Sequence, residues 1–293
     1  MIREKADRSV RSVVVTGAST GIGAACARRL DRLGFQVFAG VRNAGDGATL
    51  SASASEKLVP VHLDVMMEES IAEAVALVER TVRPAGLAGL VNNAGIAVAG
   101  PIEAVPIEQA RRQVEVNVIG QMAVTQAFLP LLRQGRGRIV NMSSIAGLAA
   151  TPFLGWYGAS KFALEALTDA LRLELRPWGI EVSSVEPGAI ATPIWERSAA
   201  LAERMRSTVD PQKLALYEQA LTGMQEVIQK AARRAIPADE VAKVVARALT
   251  VRRPKTRYLV GLDARFRALL KQLLSDRGQD WLIGKFLNLP PAP

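Results

Sequence analysis

Three side chains stand at spacings that could move protons: Ser144, Tyr157 and Lys161, in the stretch SSIAGLAATPFLGWYGASK. Tyr157 and Lys161 are four residues apart within YGASKFALEALTDALRLEL, a strongly helical run, so phenol and ammonium share one face a turn apart. An isolated tyrosine titrates near about 10 and is a poor base at neutral pH. A neighbouring ammonium stabilises the phenolate and turns the phenol into a usable acid and base. The same spacing also occurs on helices that merely pack, so the pair needs company. Ser143 and Ser144 supply it, because they follow the apolar run 137–142, at whose end polar groups would meet a ligand.

Such residues need a rigid support, and the rest of the chain reads as one. Short β-branched runs at 12–16, 36–41, 58–63, 87–91, 137–142 and 180–185 read as strands, and 257–261 as a last one. Each of the first five precedes a segment able to hold a helix, although 43–55 is rich in Gly and Ser. Strands this apolar must be covered on both faces, which predicts an α/β fold with a doubly wound, mainly parallel sheet. With 293 residues, 49% hydrophobic and 22% charged, one globular domain is expected. It spans 1–261, and 190–236 interrupts the rhythm as two helical stretches, 195–207 and 211–233. An insertion after a strand is placed to cover a ligand at the carboxyl ends of the sheet. Residues 262–293 read as a helical extension with a frayed Pro-rich end.

Immediately after the first strand, residues 16–23 read TGASTGIG and open a helix. Glycines there allow a tight turn, close approach of backbone to a pyrophosphate, and close packing of helix on strand. The helix N-terminus then holds the phosphates. At the end of the second strand a carboxylate would bind a ribose 2′-hydroxyl, but Val41 stands there, followed by Arg42. Arg42 can grip a 2′-phosphate with charge-assisted bonds, aided by the Ser19 and Thr20 hydroxyls, or it can be a solvated strand-end residue.

Taken with NNAG at 92–95, SS before Tyr157-Gly158-Ala159-Ser160-Lys161 and PG at 187–188, the chain resembles the classical short-chain dehydrogenases/reductases over about 12–192. FAGVRN, PFLGWYGASKFAL and EPGAIATP make it most similar to the hydroxysteroid and retinol dehydrogenase-like branch. The resemblance implies that Ser144 hydrogen-bonds the substrate oxygen, that Tyr157 exchanges the proton and that Lys161 binds the nicotinamide ribose. It implies that Asn117, in VEVNVIG, positions a water linking Lys161 to solvent. The cofactor would further meet Gly17, Gly21, Ile22 and Gly23 of the loop. Asp64 and Val65 would lie at the adenine, with Asn93, Ala94 and Gly95 at the fourth strand end, where Asn92 also sits. Pro187, Gly188, Ile190 and Thr192 would line the nicotinamide. Leu148, Phe153, Leu154, Trp156 and Trp195 would wall an apolar substrate pocket, with Ala149 nearby. His62 and Cys26 read as structural, and one Cys with one His leaves little for a metal.

The expected activity is hydride transfer between NADP(H) and a lipophilic secondary alcohol or ketone, NAD(H) being the less favoured cofactor. Reduction of a 3-oxoacyl thioester is the alternative, and a non-catalytic dinucleotide sensor, which has no need of Ser144, Tyr157 and Lys161 together, a remote one. Net charge is +9, yet residues 201–293 hold 17 Lys/Arg against 9 Asp/Glu while residues 1–200 are nearly balanced. That is unlike a uniformly basic nucleic-acid binder. The basic third could attract an anionic substrate or a membrane surface, or be a solvated face. Within it, 264–289 carries apolar stripes split at 275–280, and packing against 195–233 to close the substrate site is favoured over a membrane contact. A homodimer or homotetramer pairing through helices at 107–132 and 156–176 is implied by the family, and a cytoplasmic location by the basic start without an apolar signal core.

Overall fold

The computed structural model describes residues 11–206, 210–287 and 289; the basic first ten residues, residue 207 and the Pro-rich end 290–293 lie outside the described residues. The chain begins β1 (Ser12–Val15), α1 (Gly21–Arg32), β2 (Gln36–Val41), α2 (Ala44–Ser51), β3 (Leu58–His62), α3 (Glu68–Val82) and β4 (Gly89–Asn92). Next come α4 (Ile107–Val114), a π-helical turn (Glu115–Ile119), α5 (Gly120–Gly135), β5 (Arg138–Met142), α6 (Gly155–Glu174) and β6 (Glu181–Pro187). The remainder is β7 (Ile190–Ala191), α7 (Ile194–Arg206), α8 (Pro211–Ala215), α9 (Glu218–Arg233), β8 (Ile236–Pro237), α10 (Ala238–Thr250), β9 (Arg257–Val260), α11 (Leu262–Leu273) and α12 (Asp276–Phe286).

Seven strands form one parallel sheet in the order β3-β2-β1-β4-β5-β6-β9. The doubly wound α/β expectation is met, and its cause is visible in β1, where all four residues are buried. Val13 and Val15 face a layer built from α1 and α10 through Cys26, Leu30 and Val245. Val14 faces the opposite layer, built from α3 and α5 through Val78 and Phe128. β7 and β8 pair in a two-stranded parallel sheet that closes the neck of the insert between them.

The structure refines four local expectations. The Gly-rich stretch after Arg42, read as able to hold a helix, forms α2, and it needs Gly47: a Cβ there would meet Pro60 Cβ on β3 at 2.8 Å. The helix expected over 107–132 is interrupted at Asn117 by the π turn, a feature that usually marks a functional position. The helix expected over 211–233 breaks at Leu216 and Tyr217, where the Tyr217 ring lies edge-on to Phe153, 6.3 Å between centroids. Residues 276–280 are not a gap in the extension: Ser275 caps α12 by accepting from the Gly278 N–H, and the break narrows to Leu274–Ser275.

A ladder of side-chain amides and hydroxyls crosses the sheet behind the strand ends. Asn92 Nδ2 donates to Thr125 Oγ1 (2.8 Å) and to Asn141 Oδ1 (2.9 Å), and Asn141 Nδ2 donates to Thr168 Oγ1 (2.8 Å). All four residues are buried, so an unpaired group has no water to turn to. Asn141→Ala is expected to cost about 1–3 kcal/mol by stranding its partners. A fall in the urea midpoint at unchanged m value checks it.

Candidate active site

A cavity of about 540 Å³ opens at the carboxyl ends of the strands, where the chain order reverses between β1 and β4. One wall is the glycine loop: Gly17 and Gly21 have φ of +62° and +57°, a left-handed backbone that side chains disfavour. A Cβ on Gly17 would lie 2.9 Å from Ala94 Cα, and one on Gly23 would strike the Gly17 carbonyl. Gly17, Ser19, Thr20, Gly21 and Ile22 line the cavity, whereas Gly23 lies behind it and lets α1 pack.

The loop is held by residues of the opposite strand end. Thr16 Oγ1 accepts from the Asn93 and Ala94 N–H groups at 2.9 and 3.0 Å. Asn93 Nδ2 donates back to the carbonyls of Thr16 and Gly17 at 3.0 and 3.1 Å. Asn93, Ala94 and Gly95 line the cavity; Asn92, expected beside them at the cofactor, points into the amide ladder instead. Arg42 and Val65 border the far end with Asp64, which caps the next turn by accepting from the Met66 N–H. Pro187, Gly188, Ile190 and Thr192 form the facing wall.

The charges around the cavity are uneven. Arg42, Arg112, Lys161, Arg197 and Arg204 face it, against one carboxylate, Asp64. Basic walls, a left-handed glycine turn and the start of α1 fit a polyanionic dinucleotide, whose phosphates Gly21 and Ile22 would receive on their N–H groups and whose adenosine end Arg42 and Asp64 would hold. Arg112, Arg197 and Arg204 were not legible as site residues, because α4 and α7 read only as amphipathic helices until their packing brings them over the groove.

Ser144, Tyr157 and Lys161 meet on the inner wall. Ser144 sits in extended backbone after β5 and caps a 3₁₀ turn by accepting from the Ala146 N–H at 3.1 Å. Burial pushes the Tyr157 phenol up, and the Ser144 hydroxyl beside it pulls the other way. Lys161 Nζ lies 5.8 Å from the Tyr157 ring centroid and donates to the Met142 carbonyl at 2.8 Å. Burial brings the ammonium down to about 8, opposed by the charge of Glu165. One of its three donors is used, so the others are available to a ligand.

Asn117 stands one layer back. The π turn aims its side chain at Ile96, accepting from that N–H at 2.8 Å and donating to that carbonyl at 2.9 Å. Its second N–H goes to Ser160 Oγ, 3.0 Å away, which donates to the Tyr157 carbonyl. Asn117 does not line the cavity; it ties the β4 loop to the helix bearing Tyr157.

A second, apolar chamber of about 260 Å³ adjoins the first and shares Trp195 and Ser198 with it. Phe153 and Leu154 wall it as expected, together with Met205, Leu221, Met224 and Ile228. The last three were legible only as the apolar face of a helix. Leu148 and Trp156 line neither space. Leu148 packs with Ile145 under Ala264 and Ala268, and Trp156 packs with Ile96 and Leu201 beneath α7. Trp156 lies next in sequence to the lining residue Tyr157 but packs away from the cavity.

Comparison with known proteins agrees with this geometry. The short chain dehydrogenase family model matches residues 11–202, and the protein belongs to that family of oxidoreductases, which work between alcohols and carbonyls with a nicotinamide dinucleotide. Within it the chain falls in the hydroxysteroid/retinol-like branch. It is 35% identical to retinol dehydrogenase 5 of Mus musculus, covering 98% of this chain and 92% of that protein. It is 34% identical to the NADPH-dependent 3-dehydrocapnine reductase of Ornithobacterium rhinotracheale, covering 95% and 98%. A short-chain dehydrogenase from Streptomyces avermitilis has a similar structure, with a TM-score of 0.78 at 27% identity over 95% of this chain and 98% of that one.

The C-terminal extension reaches the site from behind. Asp263, in the first turn of α11, accepts from the Ala189 N–H at 2.6 Å, directly after the Pro187–Gly188 wall. One turn on, Arg267 donates to the Ala149 carbonyl at 3.2 Å and to Thr151 Oγ1 at 2.8 Å, fixing the loop between Ser144 and Tyr157. One short helix thus staples both loops that flank the Tyr157 phenol. Asp263→Ala is expected to weaken dinucleotide affinity about tenfold, the worth of one charge-assisted bond. Fluorescence titration of the reduced cofactor measures it, and an unchanged Kd would mean the wall stands without α11.

Proposed function

We propose that the protein is an NADP(H)-dependent carbonyl reductase or alcohol dehydrogenase acting on a lipophilic secondary alcohol or ketone. The observation that carries this reading is the apolar chamber that adjoins the cavity holding Tyr157 and shares Trp195 and Ser198 with it. An apolar wall favours an apolar ligand, which would lie in the chamber with its oxygen between Ser144 and Tyr157. Ser144 then orients that oxygen and Tyr157 supplies or takes the proton, with the ammonium of Lys161 favouring the phenolate against the burial that pushes the phenol up. Bound nicotinamide supplies or accepts the hydride. Arg42, following Val41 rather than a carboxylate at the end of β2, supports a 2′-phosphate on the cofactor, as does the NADPH named for the Ornithobacterium relative. Ile119, Phe162 and Leu173 are exposed on the helices expected to pair subunits, which supports a homodimer or homotetramer.

Tyr157→Phe keeps the ring and removes the exchangeable proton. Turnover of a lipophilic ketone is expected to fall about a hundredfold or more with cofactor affinity near normal. A variant retaining about a third of wild-type kcat overturns the assignment. Replacing Val41 with Asp and Arg42 with Ala together is expected to lower kcat/KM for NADPH by about one to two decades and narrow the gap to NADH. Steady-state kinetics with both cofactors checks this, and a wild-type preference of about tenfold for NADH would sink it.

A further inference from the structure

Behind the Tyr157–Lys161 face lies a second set of buried charges that proton transfer at the phenol does not use. Glu165, one turn after Lys161 on α6, is 5% exposed, and Glu186 on β6 is fully buried. Gly147 presses on this turn of the helix: a Cβ there would lie 3.0 Å from the Lys161 carbonyl and 3.2 Å from Glu165 Cγ. Glu165 Oε1 accepts from Ser184 Oγ, and its Oε2 accepts from Arg257 Nε at 3.1 Å. Arg257 gives another N–H to Asp169, which is also paired with Arg172.

Glu186 is the residue left over. Its Oε1 lies 3.3 Å from the same Arg257 Nε, but that nitrogen has one hydrogen and Glu165 takes it. Neither oxygen of Glu186 receives a hydrogen bond, although both are out of water. A fully ionised carboxylate in that position would be uncompensated, and the simplest remedy is a proton. Burial first, then the charge of Glu165, push Glu186 up to about 8 against the pull of Arg257.

The charged groups facing this point are Lys161, Glu165, Asp169 and Arg172 from α6, Glu186 from β6 and Arg257 from β9. With Glu186 neutral, Asp169 is held between two guanidiniums, and Glu165, one turn along α6, is the carboxylate whose charge acts on Lys161. We propose that Glu165 and Glu186 form a buried carboxyl pair holding one proton, and that the single negative charge of this pair is the counter-ion that keeps the Lys161 ammonium charged. Both are positioning residues that act through Lys161, and the inference rests on the reading of Lys161 as the group that acidifies Tyr157.

The sign of the effect follows. The ammonium already sits at about 8, below an ordinary lysine, and removing the anion lowers it further. In Glu165→Gln the alkaline limb of kcat/KM for ketone reduction should move about one pH unit or more to lower pH, with the acid-side plateau within about threefold of wild type. Glu186→Gln keeps a neutral donor beside Glu165, so its limb should stay within about 0.3 unit of wild type. Infrared difference spectra of wild type against Glu186→Gln, at neutral pH, should show a protonated-carboxyl band that the variant lacks. An unshifted limb in Glu165→Gln, with only a lower melting temperature, overturns the proposal, as does an equal shift in both variants. If Glu165→Gln does not fold, the infrared comparison decides, and absence of the band overturns the pair. A wild-type protein that reduces no ketone while showing the band refutes the proposed function and leaves the pair standing.

Discussion

An ammonium on Lys161, which is 4% exposed, needs compensation for its lost water, and much of the surrounding structure supplies it. Desolvating a cation costs several kcal/mol unless hydrogen bonds and an opposite charge compensate. Compensation here comes from two directions. The last carbonyl of β5, on Met142, accepts from the ammonium, which it can do because the strand ends there and Ser143 turns to the Val185 carbonyl. From below, α6 brings Glu165 one turn away, and β6 and β9 close over it with Ser184 and Arg257. The Tyr157–Lys161 face and the edge of the sheet are therefore joined through Glu165, and β9, remote in sequence, takes part through Arg257.

The cofactor side is governed by a steric constraint instead. Gly17 can approach Ala94 only because neither a side chain nor a slack loop intervenes, and Thr16 and Asn93 hold that approach with four hydrogen bonds between the two strand ends. The same NNAG segment is fastened on its other side by Asn117, through both polar groups of Ile96. Because Asn117 also reaches Ser160, the position of the β4 loop is coupled to that of Tyr157. The π turn is what permits this: a regular helix through 107–135 would present that side chain at a different angle.

How much of this was legible in the sequence depends on the range of the interaction. The seven strands of the main sheet were readable to within a residue or two because each is a short apolar or β-branched run, most of them buried on both faces. The glycine loop and Tyr157–Lys161 were readable because their chemistry is local. The two-residue strands β7 and β8 are too short to show a pattern. The wall residues were read less well: Phe153, Leu154 and Trp195 reach the chamber, but Leu148 and Trp156 do not, since the direction of a loop residue is set by whatever packs on it. The doubtful helix after Arg42 turned on Gly47 needing room beside Pro60, a contact between elements. Asp263 and Arg267 were invisible as site residues, because the groups they hold lie 74 and more than 110 positions away.

The basic C-terminal third shows how charge in a sequence can mislead about where it acts. Seventeen cations against nine carboxylates reads either as a surface that attracts anions or as a solvated face. Several of those cations are spent on the body of the protein. Arg257 bonds Glu165 and Asp169 and faces Glu186, and Arg267 is drawn into the loop before Tyr157. Lys243 and Lys271 pair with carboxylates on or beside their own helices. The expectation that this segment folds against the insert fits the packing of Ile283, Leu287 and Leu289 with Met224 of α9, so the extension packs on a residue that walls the apolar chamber as well as bracing the cofactor wall. Its outward face is a different matter: Leu262, Phe266, Leu269 and Leu273 form an exposed stripe on α11, opposite the face carrying Ala264 and Ala268. A helix that braces two active-site loops on one side and offers bare apolar surface on the other joins the geometry of the site to whatever meets that surface.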